Sequence, residues 1–161
     1  MNVLPLALTP KRVLLIGAGK VAARKARGLL QSDCELEVVA REIRDDFFLG
    51  RSVHLSDFAF DWLEARQGDD PAYDIVVNAT GDAALSLKLW ENRRRLRYWL
   101  NAVDRPDCCD FYFGATLRDR DLCILVSTGG ASPRHAQTVR DFIAAALPSS
   151  AKTLPPFPAR G

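Results

Sequence analysis

The sequence lacks the features of a membrane protein or a nucleic-acid-binding protein. No apolar run approaches the ~20 residues that a transmembrane helix needs. Residues 1–10 have no basic residue ahead of their short apolar stretch, unlike a signal peptide. The excess of positive over negative charge is small, because 22 Lys and Arg against 20 Asp and Glu leave a net charge of only +2. We therefore expect a cytoplasmic protein with no membrane or nucleic-acid partner.

Cysteine and histidine are too few and too scattered to form a metal site. The 4 cysteines and 2 histidines have no metal-ligand spacing. The adjacent pair Cys108-Cys109 has no histidine nearby in sequence, and His54 and His135 are each isolated. We predict no resident metal and free thiols, which are typical of a reducing cytoplasm.

The beginning of the chain alternates between strand and helix periodicity. Arg12–Ile16 is a short apolar run that ends in glycine, and Glu35–Ala40 is a second run rich in valine, so both are predicted strands. Between them, apolar residues fall on one helical face: Val21, Ala22, Ala26, Leu29 and Leu30. A strand, a glycine turn, a helix and a strand make a βαβ unit, which implies parallel pairing and a right-handed crossover.

The remainder of the chain predicts more strands and helices. The predicted strands are Ser52–Leu55, Tyr73–Ala79, Tyr98–Val103, Phe111–Thr116 and Leu122–Ser127, of which the last two suit a hairpin. Helices are predicted over Asp57–Arg66, after an Asp82 cap, and after Ser132-Pro133. The apolar stripe of the last helix is Ala136, Val139, Phe142, Ile143 and Ala146.

These elements predict an α/β fold with a Rossmann-type parallel sheet and helices on both faces, followed by a strand hairpin and a C-terminal helix. We expect a dinucleotide-binding domain over residues 1–110 and a hairpin and helix over residues 111–147. Residues 148–161 are rich in proline and predict a loose tail.

A glycine-rich turn joins the first predicted strand to the first predicted helix. Residues 17–22 (GAGKVA) match the pattern G-x-G-x-x-[G/A]. The first glycine permits a tight turn, the second lets a pyrophosphate approach the backbone, and the small third residue lets the helix lie close to the strand. The N–H groups at the helix start favour an anion. We therefore assign Gly17, Gly19, Lys20 and Val21 to a dinucleotide cofactor, although the pattern alone would also fit a structural turn.

The end of the second predicted strand leaves the cofactor's phosphate preference open. NAD-binding domains usually have an acidic residue there, about 20 residues past the glycines, that binds the adenosine ribose. In this sequence Glu42 follows Arg41. Glu42 would suit the ribose hydroxyls of NAD, whereas Arg41 would suit the 2′-phosphate of NADP, and both residues are equally explained as solvated loop charges.

Several ordered segments resemble those of a known family, the N-terminal module of siroheme synthases and the related precorrin-2 dehydrogenases and ferrochelatases. The resemblance covers about residues 2–147 and rests on six segments in the family's order. These are Leu4-Pro5-Leu6, residues 17–26 (GAGKVAARKA), residues 79–82 (ATGD), residues 101–104 (NAVD), residues 111–115 (FYFGA) and residues 127–133 (STGGASP). The ATGD segment resembles the step that follows the fourth strand in the family, and we also assign its Thr80 to cofactor binding.

The resemblance implies a chemistry that composition and spacing do not. It implies NAD-dependent oxidation of the tetrapyrrole precorrin-2 to sirohydrochlorin, a homodimer formed through the hairpin, and in some members insertion of ferrous iron. The family normally continues into a C-terminal helical domain that this sequence does not contain, which leaves iron insertion open. A non-catalytic module that binds a dinucleotide or a tetrapyrrole remains the alternative.

The resemblance also implies site residues. Asp104 matches the family's essential aspartate, although a turn aspartate before Arg105-Pro106 would look the same. Its carboxylate would accept the proton released when the ring is oxidised. Asn101 and the segment Thr128-Gly129-Gly130 are assigned to the substrate, although Asn101 fits a hydrogen-bonding residue at a strand end better than a catalyst. That glycine segment is equally explained as a turn that leads into a helix cap.

Overall fold

The computed structural model describes residues 11–32, 34–119 and 122–147. These residues form two compact units that divide between Tyr112 and Phe113. The proline-rich tail predicted from residue 148, the expected absence of a signal peptide at residues 1–10 and the Leu4-Pro5-Leu6 segment all lie outside the described residues.

The larger unit contains a five-stranded parallel sheet with the order β3-β2-β1-β4-β5. Its strands are β1 (Lys11–Ile16), β2 (Cys34–Ala40), β3 (His54–Leu55), β4 (Ile75–Asn78) and β5 (Trp99–Ala102). Its helices are α1 (Lys20–Leu29), α2 (Phe60–Arg66) and α3 (Ala83–Asn92), with short 3-10 turns at Asp46–Phe48 and Pro106–Cys108. This strand order is the first part of the Rossmann order, so the predicted fold class is confirmed.

The central strands form the core because their residues are apolar on both faces. Residues 13–16 of β1 and 75–78 of β4 are all buried, as expected for a parallel sheet covered by helices on both sides. The side of α1 that faces the sheet carries Ala22, Ala23 and Ala26, all fully buried, so the helix lies close to the strands. The βαβ unit predicted from the sequence is therefore confirmed.

The smaller unit is a hairpin with one helix. Strands β6 (Ala115–Asp119) and β7 (Leu122–Val126) pair antiparallel, with Ala115 opposite Val126. The helix α4 (Pro133–Ala146) lies against both strands. Ser132 caps it, because its hydroxyl oxygen accepts a hydrogen bond from the His135 N–H at 3.3 Å. The predicted hairpin and its following helix are confirmed.

The boundaries of three predicted elements were wrong. The first hairpin strand begins at Ala115 and not at Phe111, because the Phe111 carbonyl accepts a hydrogen bond from the Asn101 side chain at the end of β5. The third strand has only the two residues His54–Leu55, paired with the end of β2. Helix α2 begins at Phe60, three positions after the predicted start at Asp57.

Four residues predicted to lie on buried helix faces are exposed: Val21, Leu30, Phe142 and Ala146. Val21 is 40% exposed because it lies about 100° around the helix from Ala22, and Leu30 is 48% exposed at the end of α1. Phe142 is 74% exposed, about 120° around α4 from the buried Ala136. In both helices the predicted buried face was too wide, so it included apolar residues that lie beside the face that is actually buried.

Candidate functional site

A cleft of about 330 Å³ lies at the carboxyl ends of β1, β2 and β4. This is the point of the sheet where the strand order reverses, and open α/β sheets bind ligands there. The lining consists of residues 16–19, 39–42 and 79–80, together with Arg44, Asp57, Phe58, Asp82 and Leu85. Five of the residues predicted to bind the cofactor are among them: Gly17, Gly19, Arg41, Glu42 and Thr80.

Gly17 forms the tight turn at the floor of the cleft. Its φ is +112°, a conformation that residues with side chains rarely adopt. A Cβ atom at this position would lie 2.9 Å from the Ala79 carbonyl oxygen. The Gly17 N–H donates to the Val39 carbonyl oxygen at 2.8 Å, so the turn is fixed between the ends of β2 and β4. Only glycine fits this position.

The N-terminus of α1 is open to a ligand. Gly19 precedes the helix without a side-chain cap, so the N–H groups of the first turn have no side-chain acceptor at that position. A Cβ atom built at Gly19 would meet nothing within 4 Å. Free space, N–H donors and the helix dipole together suit the pyrophosphate of a dinucleotide. Lys20 and Val21 lie exposed in the first turn and do not line the cleft, so their role in binding stays a prediction.

The other end of the cleft carries two ion pairs on exposed side chains. The Arg41 guanidinium donates to the Asp57 carboxylate, and the Arg44 guanidinium donates to the Glu42 carboxylate. The hydrogen bond that Arg41 donates to Asp57 raises the pKa of Arg41. The sequence did not single out Asp57, because it reaches the cleft only through the parallel pairing of β3 with the end of β2.

A hydrogen-bonded wall follows β4. The buried Asn78 donates from Nδ2 to Ser86 Oγ at 2.9 Å, and its Oδ1 accepts from the Thr80 N–H and hydroxyl. Asp82 Oδ1 in turn accepts from the Leu85 N–H at 3.0 Å, which confirms the predicted cap of α3. Thr80 is therefore held at the edge of the cleft by its neighbours.

Asp104 lies in the segment that follows β5, residues 103–110, which we call the β5 turn. The Val103 N–H donates to the Asn78 carbonyl oxygen at 3.0 Å, so this turn begins beside the strand end that leads into the cleft wall. The Asp104 side chain is exposed and makes no hydrogen bond to another described residue. Its neighbour Arg105 donates a hydrogen bond to the Asp107 carboxylate, and this bond lowers the pKa of Asp107 to about 2. Asp104 is thus accessible to a substrate.

The residues assigned to the substrate have structural partners. Asn101 is buried at the end of β5, where its Nδ2 donates to the Phe111 carbonyl oxygen at 2.8 Å. In the smaller unit, Thr128 Oγ1 accepts from the Ser132 N–H at 2.9 Å. Gly129 and Gly130 adopt φ values of +64° and +87°, which favour glycine. The interpretation as a turn and cap accounts for the Thr128 segment, and substrate contact stays a prediction for all four residues.

The described residues contain neither a cluster of metal ligands nor a helix suited to cross a membrane. Residues 11–32, 34–119 and 122–147 contain no group of three His, Cys, Asp or Glu side chains arranged to hold a metal ion. The cysteines of these residues form no disulfide with one another. Across the same ranges, every helix is too short or too polar to cross a bilayer.

Comparison with known families identifies both parts of the chain. Residues 4–115 match the family described as "Putative NAD(P)-binding", and residues 119–146 match the family described as "Sirohaem biosynthesis protein central". A solved structure titled "SirC, precorrin-2 dehydrogenase" has a similar fold, with a TM-score of 0.66. It is 20% identical, and the alignment covers 91% of this chain and 71% of that one.

Curated relatives are longer than this chain. The siroheme synthase of Methylococcus capsulatus is 32% identical over 159 residues, which are 96% of this chain and 32% of the relative. A siroheme biosynthesis protein of Saccharomyces cerevisiae is 28% identical over 84% of this chain and 62% of its own length. The chain therefore spans about a third of the length of the bacterial siroheme synthase. By sequence, by fold and by the form of its cleft, the chain belongs to the NAD(P)-binding family that is found in siroheme synthases.

Proposed function

We propose that this chain catalyses the NAD-dependent oxidation of precorrin-2 to sirohydrochlorin in siroheme biosynthesis. The observation that supports this proposal is the contact between the end of β5 and the end of β4. The hydrogen bond from the Val103 N–H to the Asn78 carbonyl oxygen places the start of the β5 turn, which contains Asp104, beside the wall of the dinucleotide cleft. A cofactor site and an accessible carboxylate thus share one edge of the sheet.

The cofactor would be held by backbone groups more than by side chains. The N-terminus of α1 and the open space at Gly19 would receive the pyrophosphate, and Glu42 would receive the adenosine ribose. Thr80 and its hydrogen-bonded neighbours would line the side of the cleft next to β4. When bound, the nicotinamide supplies the hydride acceptor that ring oxidation requires.

Asp104 would act as the base. Oxidation of precorrin-2 removes a hydride, with its electron pair, and a proton. The Asp104 carboxylate would accept the proton, and NAD bound in the cleft would supply the acceptor for the hydride. A positioned carboxylate of this kind typically contributes about 10²–10⁴-fold to rate. The side chain is available for this role because it makes no hydrogen bond to another described residue.

The proposal is tested by mixing the purified chain with precorrin-2 and NAD without oxygen and following NADH absorbance. We expect NADH to form at a rate proportional to the concentration of the chain. Binding of NAD without NADH formation would instead favour a non-catalytic dinucleotide-binding module. Adding ferrous iron to the same assay tests iron insertion. In that reaction Asp104 would accept pyrrole N–H protons.

We predict a preference for NAD over NADP that depends on Glu42 and Asp57. A 2′-phosphate would bring negative charge towards these two carboxylates, and Arg41 and Arg44 are already paired with them. Exposed ion pairs are each worth up to about 1 kcal/mol. The double variant Glu42→Gln/Asp57→Asn should therefore raise the affinity for NADP relative to NAD by about tenfold, as measured by titration calorimetry.

A matched control for this prediction is Glu64→Gln. It breaks an exposed ion pair with Arg95 that does not line the cleft. We expect the ratio of NADP to NAD affinity to stay as in the wild type. An unchanged ratio in the double variant as well would show that the two carboxylates do not select the cofactor.

We also propose that the chain forms a homodimer through its smaller unit and works in the cytoplasm. The hairpin of β6 and β7 is only two-stranded, and such hairpins are marginally stable alone. α4 also exposes Phe142. We predict a dimer at micromolar concentration by sedimentation, and a monomer for Phe142→Glu. As a control, Leu49→Glu changes an exposed leucine in the larger unit, and this variant should stay dimeric. A monomeric wild type would exclude the proposed dimer.

A further inference from the structure

Almost every polar side chain in the β5 turn makes a hydrogen bond. Arg105 Nε and Asp107 Oδ1 are 2.9 Å apart, and the Asp110 carboxylate accepts from Arg93 Nε and from the Leu100 N–H, each at 2.9 Å. Asp104 is the exception, with no hydrogen bond from its side chain to another described residue. Its position is therefore determined by the backbone that carries it.

The Cys109 thiol holds that backbone on both sides of Asp104. Its sulfur accepts from the Ala102 N–H at 3.3 Å and lies 3.2 Å from the Ala102 carbonyl oxygen. It also lies 3.4 Å from the Arg105 carbonyl oxygen, so the S–H can donate to either carbonyl. Ala102 ends β5 two residues before Asp104, and Arg105 follows Asp104 directly. The Arg105 N–H donates back to the Ala102 carbonyl oxygen at 3.2 Å, which closes the turn.

The end of β5 supports the sulfur in this position. Asn101 and Cys109 form an isolated antiparallel bridge, and Asn101 Nδ2 lies 3.7 Å from the sulfur. Burial raises the pKa of the Cys109 thiol, although the nearby Lys25 acts in the opposite direction. The group therefore remains an S–H donor at neutral pH. The neighbouring thiol of Cys108 is buried and instead lies 3.9 Å from the Asp107 carboxylate.

We propose that Cys109 is a positioning residue for Asp104. Its thiol contacts the backbone of both Ala102, the last residue of β5, and Arg105, the residue after Asp104. These contacts determine the position of the Asp104 carboxylate relative to the edge of the sheet. This inference rests on the proposed function of Asp104 as the base. Weak hydrogen bonds to sulfur can matter here, because a displacement of about 1 Å in a reacting group can reduce rate by about 100-fold.

The test compares Cys109→Ala with Cys109→Ser and Cys108→Ala. Serine keeps a donor and an acceptor at the same atom position, whereas Cys108→Ala removes a buried thiol from the same turn without touching Ala102 or Arg105. Two properties are measured: amide hydrogen exchange of the full chain at residues 102–105, and the kcat and KM for precorrin-2 oxidation.

For Cys109→Ala we expect amide exchange at residues 102–105 to become about tenfold faster. We expect kcat to fall about tenfold while KM for NAD stays within about twofold, because the cofactor cleft does not include Cys109. Cys109→Ser should restore most of both quantities. Cys108→Ala should leave exchange at residues 102–105 and kcat near the wild-type values.

Unchanged exchange in Cys109→Ala would overturn the proposal whether or not the chain is active. Equal losses of kcat in Cys109→Ala and Cys108→Ala would also overturn it, since the effect would then be general to the turn. If Asp104→Asn retained full activity while Cys109→Ala exchanged faster, the role of Asp104 as base would fail. The positioning role would fail with it, and only the structural tie would stand.

Discussion

Asp104→Asn is expected to lower kcat for precorrin-2 oxidation by about 100-fold or more, because the amide cannot accept the proton that ring oxidation releases. The side chain has no hydrogen bond to another described residue, so the substitution should leave the fold intact. The affinity for NAD should also be unchanged, because Asp104 does not line the cleft. Steady-state kinetics, thermal unfolding and NAD titration check the three parts of this result.

A matched control for Asp104→Asn lies in the same turn. Asp107→Asn makes the same chemical change on an exposed side chain, and its partner Arg105 is partly exposed. We expect kcat within about threefold of the wild type, since an exposed ion pair contributes little to stability or geometry. Equal activities of Asp104→Asn and the wild type would exclude Asp104 as the base.

Gly17→Ala is expected to lower the stability of the fold, whereas Gly19→Ala is expected to lower the affinity for NAD. At Gly17 the φ of +112° and the contact with the Ala79 carbonyl oxygen make a Cβ costly, so we expect a loss of about 1–3 kcal/mol in the free energy of unfolding. At Gly19 the φ is −95° and a Cβ meets nothing, so the free energy of unfolding should stay within about 0.5 kcal/mol of the wild type.

The effect of Gly19→Ala should appear in cofactor binding. A methyl group there would occupy the space through which a pyrophosphate approaches the helix N-terminus. We expect the Kd for NAD to rise at least about tenfold, a loss of about 1.4 kcal/mol. Urea unfolding and NAD titration of both variants separate the two effects. A stable Gly19→Ala variant with wild-type affinity would show that the pyrophosphate does not bind at this turn.

Local sequence signals were sufficient to predict the glycine turn that lines the cleft. The glycine turn, the strand before it and the helix after it are adjacent in the chain, so their spacing alone predicted the position of Gly17 and Gly19. The Asp82 cap of α3 was predicted for the same reason. These features depend on backbone conformation and helix capping, which a few neighbouring residues determine.

Features that depend on contacts distant in sequence were not predicted. Asp57 reaches the cleft only because β3 pairs with the end of β2. The carbonyl of Phe111 is drawn to Asn101, so the hairpin strand starts later than its apolar run indicated. Cys109 was interpreted only as a free thiol, whereas its sulfur closes the β5 turn. No pattern within a single element shows such pairings.

The most direct measurement is a single turnover with the chain in excess over precorrin-2, without oxygen and with saturating NAD. An excess of the chain limits each precorrin-2 molecule to one oxidation, so the result does not depend on repeated turnover. We predict that NADH and sirohydrochlorin form together in equal amounts, and that neither forms in the same time with the Asp104→Asn variant. Bound NAD with no NADH and unchanged precorrin-2 would contradict the proposed dehydrogenase activity.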